Sequence, residues 1–115
     1  MRDLKSKFNI VFNKTLFIIE EYLDTFNNKN DIDYEINNQM MTITFSKKNK
    51  IIISKQEIYQ QLWLATKCNG YHFNYINNNW ICNRTRKNFW NILDESFYIQ
   101  SKEKTNFSKK FLNII

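Results

Sequence analysis

Residues 31–45, DIDYEINNQMMTITF, decide the fold. Ile32, Tyr34 and Ile36 alternate with Asp31, Asp33 and Glu35, and Met41, Ile43 and Phe45 then alternate with Thr42 and Thr44. Apolar residues at every second place share one face of an extended chain, so both stretches read as strands with one buried and one wet face. Asn37-Asn38 lies between them, and asparagine tolerates the left-handed conformation a tight hairpin needs. A sheet that buries one face needs a layer of helices to cover it.

Upstream, Leu4, Phe8, Val11/Phe12, Thr15/Leu16, Ile19, Leu23 and Phe26 recur at helical steps and predict one long amphipathic helix. Downstream, Ile51 to Ile53 begins a third strand, and Gln60 to Lys67 reads as a fourth. In the fourth, Leu62 and Leu64 lie opposite Gln61, Trp63 and Ala65. Asn69-Gly70 signals a hairpin into Tyr71–Ile76, and Asn77 to Asn79 lead into Trp80–Cys82. Thr85 is the expected N-cap of a second helix with the stripe Phe89, Trp90, Leu93 and Phe97. From Gln100 onward the chain is lysine-rich, with Phe107, Phe111 and Leu112 at helical spacing, and is expected to pack weakly or fray. The order α-β-β-β-β-β-β-α predicts an α+β two-layer sandwich, both helices on one face of an antiparallel sheet. The domain boundary is set at 1–107, with 108–115 as a basic C-terminal tail.

The 115 residues are 43% hydrophobic and 17% aromatic, enough for one packed core. The longest apolar run, Leu16 to Ile19, is far short of the ~20 residues a bilayer demands, so no membrane partner is expected. The basic start runs straight into the helix with no signal-peptide core. Cys68 and Cys82 read as two free thiols of a cytoplasmic chain rather than as a disulfide framework.

Asparagine (18), isoleucine (16) and lysine (14) dominate, against three arginines, one glycine, one alanine and no proline. The abundant residues have AT-rich codons, which points to compositional drift and weakens any argument from the net charge of +6. The distribution of charge says more. Residues 1–36 are net −2, residues 37–115 net +8, and within 20–35 six acids face only Lys29.

The stretches Gln61-Leu-Trp-Leu-Ala-Thr-Lys67, Asn69-Gly-Tyr-His-Phe73, Trp80-Ile-Cys-Asn-Arg84 and Phe89-Trp90 closely resemble the frataxin family in its bacterial form. Ile19-Glu-Glu21, Asp31 to Asn37 and Thr42 to Phe45 match in the same order, so the resemblance covers about residues 12–107. It implies the same helix–sheet–helix fold. It also implies a small iron-binding protein of iron–sulfur cluster assembly, docking on the cysteine desulfurase and the iron–sulfur scaffold protein as regulator, iron donor or sensor. The family's metal-binding ridge maps onto Glu20, Glu21, Asp24, Asp31 and Asp33, with Glu35 at its edge. Thr25, Asn27 and Lys29 stand where bacterial members often carry further acids, which implies reduced iron affinity.

The residues are consistent with that chemistry. Carboxylates are hard ligands for hard cations. Glu20 and Asp24 are four apart on a helix and Glu21 and Asp24 three apart, so they share a face and repel, and a cation relieves the repulsion. An open array of this kind binds ferrous or ferric iron weakly. Trp63 is expected on the uncovered sheet face as an interface anchor, with Gln61, His72 and Asn74 around it. Cys68, His72 and Cys82 match no closed zinc site. Trp80, Phe89 and Trp90 are expected in the core. A small basic nucleic-acid-binding module, using Lys47, Lys48, Lys50, Lys109 and Lys110, is the rival reading, disfavoured by the acidic first third. An enzyme is disfavoured because no nucleophile–base arrangement or phosphate loop is in view, and any ferroxidase-like activity would belong to the ridge. The chain is expected to be a monomer, with iron as the one stimulus to oligomerise.

Overall fold

The alternating stretches form a six-stranded antiparallel meander, β1 (Asp33–Asn37), β2 (Met40–Thr44), β3 (Lys50–Gln56), β4 (Gln61–Ala65), β5 (Gly70–Ile76) and β6 (Asn79–Cys82). It is preceded by α1 (Arg2–Thr25) and followed by α2 (Phe89–Ser101) and α3 (Phe107–Phe111). The computed structural model describes residues 2–26, 32–46 and 49–113, with backbone alone for 2–6. Leu4, Asn27, Lys29, Asp31, Lys47 and Lys48 therefore lie outside the described side chains. Strand order follows chain order, so β1 and β6 are opposite edges of the sheet.

The strand alternation sorts the faces as expected. Met41, Ile43, Ile51, Ile53, Leu62, Leu64, Phe73, Trp80 and Cys82 are buried on the inner face. The stripe of α1 (Phe8, Val11, Phe12, Leu16, Ile19) and that of α2 (Phe89, Trp90, Ile92, Leu93, Phe97) join them in a single core. Burying one such side chain contributes about 1.5–3 kcal/mol, so the helices are held by packing rather than by their own propensity. Aromatic edges lock the layers: Phe89 on Phe73 at 5.3 Å and Phe97 on Phe45 at 5.2 Å, both T-shaped.

Four details differ from the expectations. The first hairpin turns at Asn38-Gln39, both with positive φ (50° and 60°), because Asn37 still pairs with Met40. Gly70 is not a turn residue. It opens β5 opposite Ala65, and the turn is Thr66–Asn69, closed by the Thr66 amide on the Asn69 carbonyl at 2.8 Å. The N-cap of α2 is Asn88, whose side-chain oxygen accepts from the Trp90 amide at 2.9 Å. Thr85 instead donates its amide to the sulfur of Cys82.

The fourth concerns the C-terminal segment. The boundary expected after Phe107 falls inside α3, and Phe107 is fully buried. Its ring stands 4.2 Å from Tyr22 and 5.7 Å from Trp90, so the segment packs firmly through its helically spaced aromatics rather than fraying with its lysines.

Candidate functional site

The end of α1 lies beside β1, and Tyr34 joins them. Because Tyr34 faces inward at the sheet edge, its hydroxyl reaches α1 and stands 2.6 Å from Asp24 and 3.2 Å from Glu20. The hydrogen bond to Asp24 raises the phenol well above its usual range, with loss of solvent and the charge of Glu20 acting the same way. One turn of helix thus presents two carboxylates to a single phenol oxygen from β1. The hydroxyl offsets part of the repulsion between carboxylates spaced four apart.

The other acids are placed differently. Glu21 is exposed beside Phe17, Thr25, Lys110 and Phe111, in the groove between α1 and α3. Asp33 and Glu35 alternate with Tyr34 and so project from the opposite side of β1, where Thr42, Thr44 and Lys50 line the same depression. Glu35 also accepts from the Asn37 side chain at 2.5 Å. Among the described residues no three His, Cys, Asp or Glu side chains come close enough to form a ready metal cage, and Asp31 lies outside them. Glu20 and Asp24 are brought together; Glu21 stands apart, and Asp33 and Glu35 form a second pair across the strand.

The four expected docking residues do meet. Trp63 and His72 are cross-strand partners on the open face, their rings stacked at 4.2 Å and 12°. The Trp63 indole donates to the Gln61 side-chain oxygen at 2.8 Å, and the Gln61 amide approaches Asn74 at 3.4 Å. Trp63 is therefore half-buried by neighbours of its own strand pair, and pre-set rather than loose. No described helix covers this face, and Thr42, Ile52 and Ser54 continue it toward β1. Cys82 faces the core while His72 faces outward, so the two never approach as metal ligands.

This arrangement has known counterparts. A family model described as the frataxin-like domain matches residues 2–103. The chain belongs to the frataxin family. It is 53% identical over 105 residues to the iron-sulfur cluster assembly protein CyaY of Buchnera aphidicola subsp. Acyrthosiphon pisum (strain APS), covering 91% of this chain and 90% of that one. The CyaY of Buchnera aphidicola subsp. Baizongia pistaciae (strain Bp) is 47% identical over 104 residues, covering 90% and 88%. The solved structure of frataxin from Psychromonas ingrahamii superposes with a TM-score of 0.79 at 36% identity, covering 90% of this chain and 96% of that one. In this chain that fold carries an acidic helix end and an open face with Trp63. Sequence reasoning missed Tyr34 as part of the ridge. Its only signal was a hydroxyl-bearing ring among the inward aliphatics Ile32 and Ile36 at the strand nearest the acids.

Proposed function

We propose that this frataxin-family protein serves iron–sulfur cluster assembly, docking on the cysteine desulfurase and its scaffold protein and setting the rate at which they work. The observation that carries the reading is the Trp63–His72 stack, held in place by Gln61 on a sheet face that no described helix covers. A pre-ordered aromatic on an uncovered face loses little rotamer freedom on binding, which is what an interface anchor requires. The names of the curated CyaY relatives support the same role.

Iron is the cargo in this reading. Glu20 and Asp24 supply its first oxygen ligands, with Glu21, Asp31, Asp33 and Glu35 as the surrounding acidic field. Two carboxylates without a closed cage hold ferrous or ferric iron weakly, and weak holding suits transfer or sensing. The protein works as a cytoplasmic regulator without a formed active site. Among the described residues no helix is long and apolar enough to cross a membrane.

Reconstitution tests this. Cluster formation on the scaffold, driven by the desulfurase with cysteine and ferrous iron, is followed by visible absorbance with and without the protein. The rate is expected to change with the native chain and to return toward the unassisted value with Trp63→Ala. A rate indifferent to the native chain overturns the reading.

A further inference from the structure

The chain has one glycine, Gly70, and it follows an asparagine. Each of the other asparagines precedes a residue that carries a side chain. The pair matters chemically because a backbone nitrogen can attack the side-chain amide of the asparagine before it, closing a five-membered ring. A side chain on the attacking residue crowds that approach, and glycine has none.

Asn69 ends the turn between β4 and β5, Gly70 opens β5, and both are exposed. The backbone of Asn69 is tied to Thr66. Its carbonyl accepts from the Thr66 amide at 2.8 Å and from the Thr66 hydroxyl at 3.1 Å, and its amide donates to that hydroxyl at 3.0 Å. Its side-chain amide has no hydrogen-bond partner among the described residues.

The strand ladder leaves the attacking nitrogen untied as well. In an antiparallel pair, hydrogen-bonded and non-hydrogen-bonded positions alternate. Thr66 opposite Asn69 is hydrogen-bonded, so Ala65 opposite Gly70 is not. The Gly70 amide therefore points away from β4, as does its carbonyl, which accepts from Arg84 at 3.4 Å.

We infer that Asn69 is a self-modification site, where the Gly70 backbone nitrogen displaces ammonia from the side chain and converts asparagine to an aspartyl or isoaspartyl residue. Water or hydroxide takes the Gly70 amide proton, and the nitrogen bonds to Cγ of Asn69. The Cγ–Nδ2 bond breaks, and ammonia leaves with a proton from water. Water then adds to one of the two ring carbonyls and breaks its bond to the ring nitrogen, which regains its proton. The net reaction consumes one water and releases one ammonia, with no change of oxidation state. Opening at the main-chain carbonyl routes the chain through Cγ and adds a methylene to the hairpin whose register pairs Trp63 with His72. Ring closure rotates the bond that carries the Asn69 carbonyl, and the contacts with Thr66 resist that rotation. Thr66 is thus the brake, and the reaction runs from a hairpin end that has opened.

The test incubates the native full chain at neutral and mildly alkaline pH, followed by intact mass, ammonia release and peptide mapping. The mass should rise by the difference between a hydroxyl and an amino group, at Asn69 before any other asparagine, and faster at the higher pH. Gly70→Ala keeps the fold, because a methyl there meets nothing within 4 Å and Gly70 has no positive φ. It should slow the reaction several-fold, and Asn69→Gln, whose ring would be one atom larger, should all but stop it. Thr66→Val removes the hydroxyl contacts and should speed it about two- to tenfold. NMR of the single histidine should show a second His72 signal growing with the modified fraction, and none in Asn69→Gln kept equally long.

A native chain that keeps its mass overturns the inference, whether or not the urea-unfolded chain reacts. Modification of another asparagine first, or a Gly70→Ala rate equal to the native one, overturns it too. A modified chain with a single unchanged His72 signal overturns the reach of the modification to the Trp63–His72 pair.

Discussion

The Tyr34 hydroxyl stands 2.6 Å from a carboxylate oxygen of Asp24, closing the end of α1 onto the edge of the sheet. The same hydroxyl is shared with Glu20 at 3.2 Å, so a cation approaching these acids must compete with it. A hydrogen bond of this kind contributes about 0.5–1.5 kcal/mol net, which corresponds to about two- to tenfold in a binding constant. Tyr34→Phe is expected to tighten ferrous binding by that factor in an anaerobic titration followed by NMR. Glu20→Gln with Asp24→Asn should weaken it, with broadening lost from residues 18–26. Iron binding unchanged in both variants would move the metal away from the end of α1.

The same contact fixes an alkaline signature. Tyr34 ionises above its ordinary value of 10.0 chiefly because its proton is held by Asp24, and burial raises Tyr22 and Tyr75 as well. A phenol whose folded pKa is raised stabilises the fold while protonated. That contribution is complete below pH 10, where the unfolded chain is also protonated, and is lost as pH rises above 10 toward the folded values. Spectrophotometric titration should show late-ionising tyrosines up to the point of alkaline unfolding. Tyr34→Phe should remove one of them and flatten the loss of stability above pH 10. A Tyr34 that titrates at the ordinary value would mean that the contact to Asp24 is not formed in solution.

Trp80 and Thr15 supply a structural counterpart, 65 residues apart and both buried. The indole N–H donates to the threonine hydroxyl at 2.9 Å, and that hydroxyl donates to the Val11 carbonyl at 2.7 Å. Thr15→Val keeps the shape but leaves the indole proton without an acceptor in the core. It is expected to cost about 1–3 kcal/mol, read as a lower midpoint in urea with an unchanged slope. Thr15→Ser keeps the hydroxyl and should be milder. A Thr15→Val variant as stable as the native chain would mean that the hydrogen bond to the Trp80 indole contributes nothing net to the fold.

The helices α1 and α2, the six strands and the open face were legible because burial on one side writes period two into strands and helical spacing into their cover. Leu62 and Leu64 against Gln61 and Trp63 is the clearest case: the sorting gives Trp63 its face, while its pairing with His72 needs the β4–β5 register. What stayed hidden depends on distances between elements rather than on periodicity. Tyr34 reads as one more inward strand residue until α1 is laid beside it, and nothing in Thr15 announces Trp80. Turn chemistry was legible in kind but not in position. Asn77 and Asn78 do take left-handed backbone, yet Gly70 does not, because the turn before it spans Thr66 to Asn69. The drifted composition hid the rest: Lys109 and Lys110 made a packed segment look like a solvated one.

That segment is held by Asp94. One carboxylate oxygen accepts from the Thr105 hydroxyl at 2.5 Å and the Phe107 amide at 2.9 Å, and the other from the Ser108 amide at 3.0 Å and hydroxyl at 2.8 Å. It thereby satisfies the orphan amides at the start of α3, the work an N-cap side chain normally does, from a different helix. Five residues cannot sustain a helix alone, so α3 depends on this carboxylate and on the burial of Phe107. Asp94→Ala is expected to cost about 2–3 kcal/mol and to open residues 102–106 to limited proteolysis. Phe107→Ala should cost about 3–5 kcal/mol through the cavity left against Tyr22, Trp90 and Phe97. Because Trp63 lies on the opposite face of the sheet, Asp94→Ala should leave docking through that face unchanged at temperatures where the variant stays folded. Full stability in Asp94→Ala would mean that aromatic packing alone seats α3, and that its four hydrogen bonds only exchange for water.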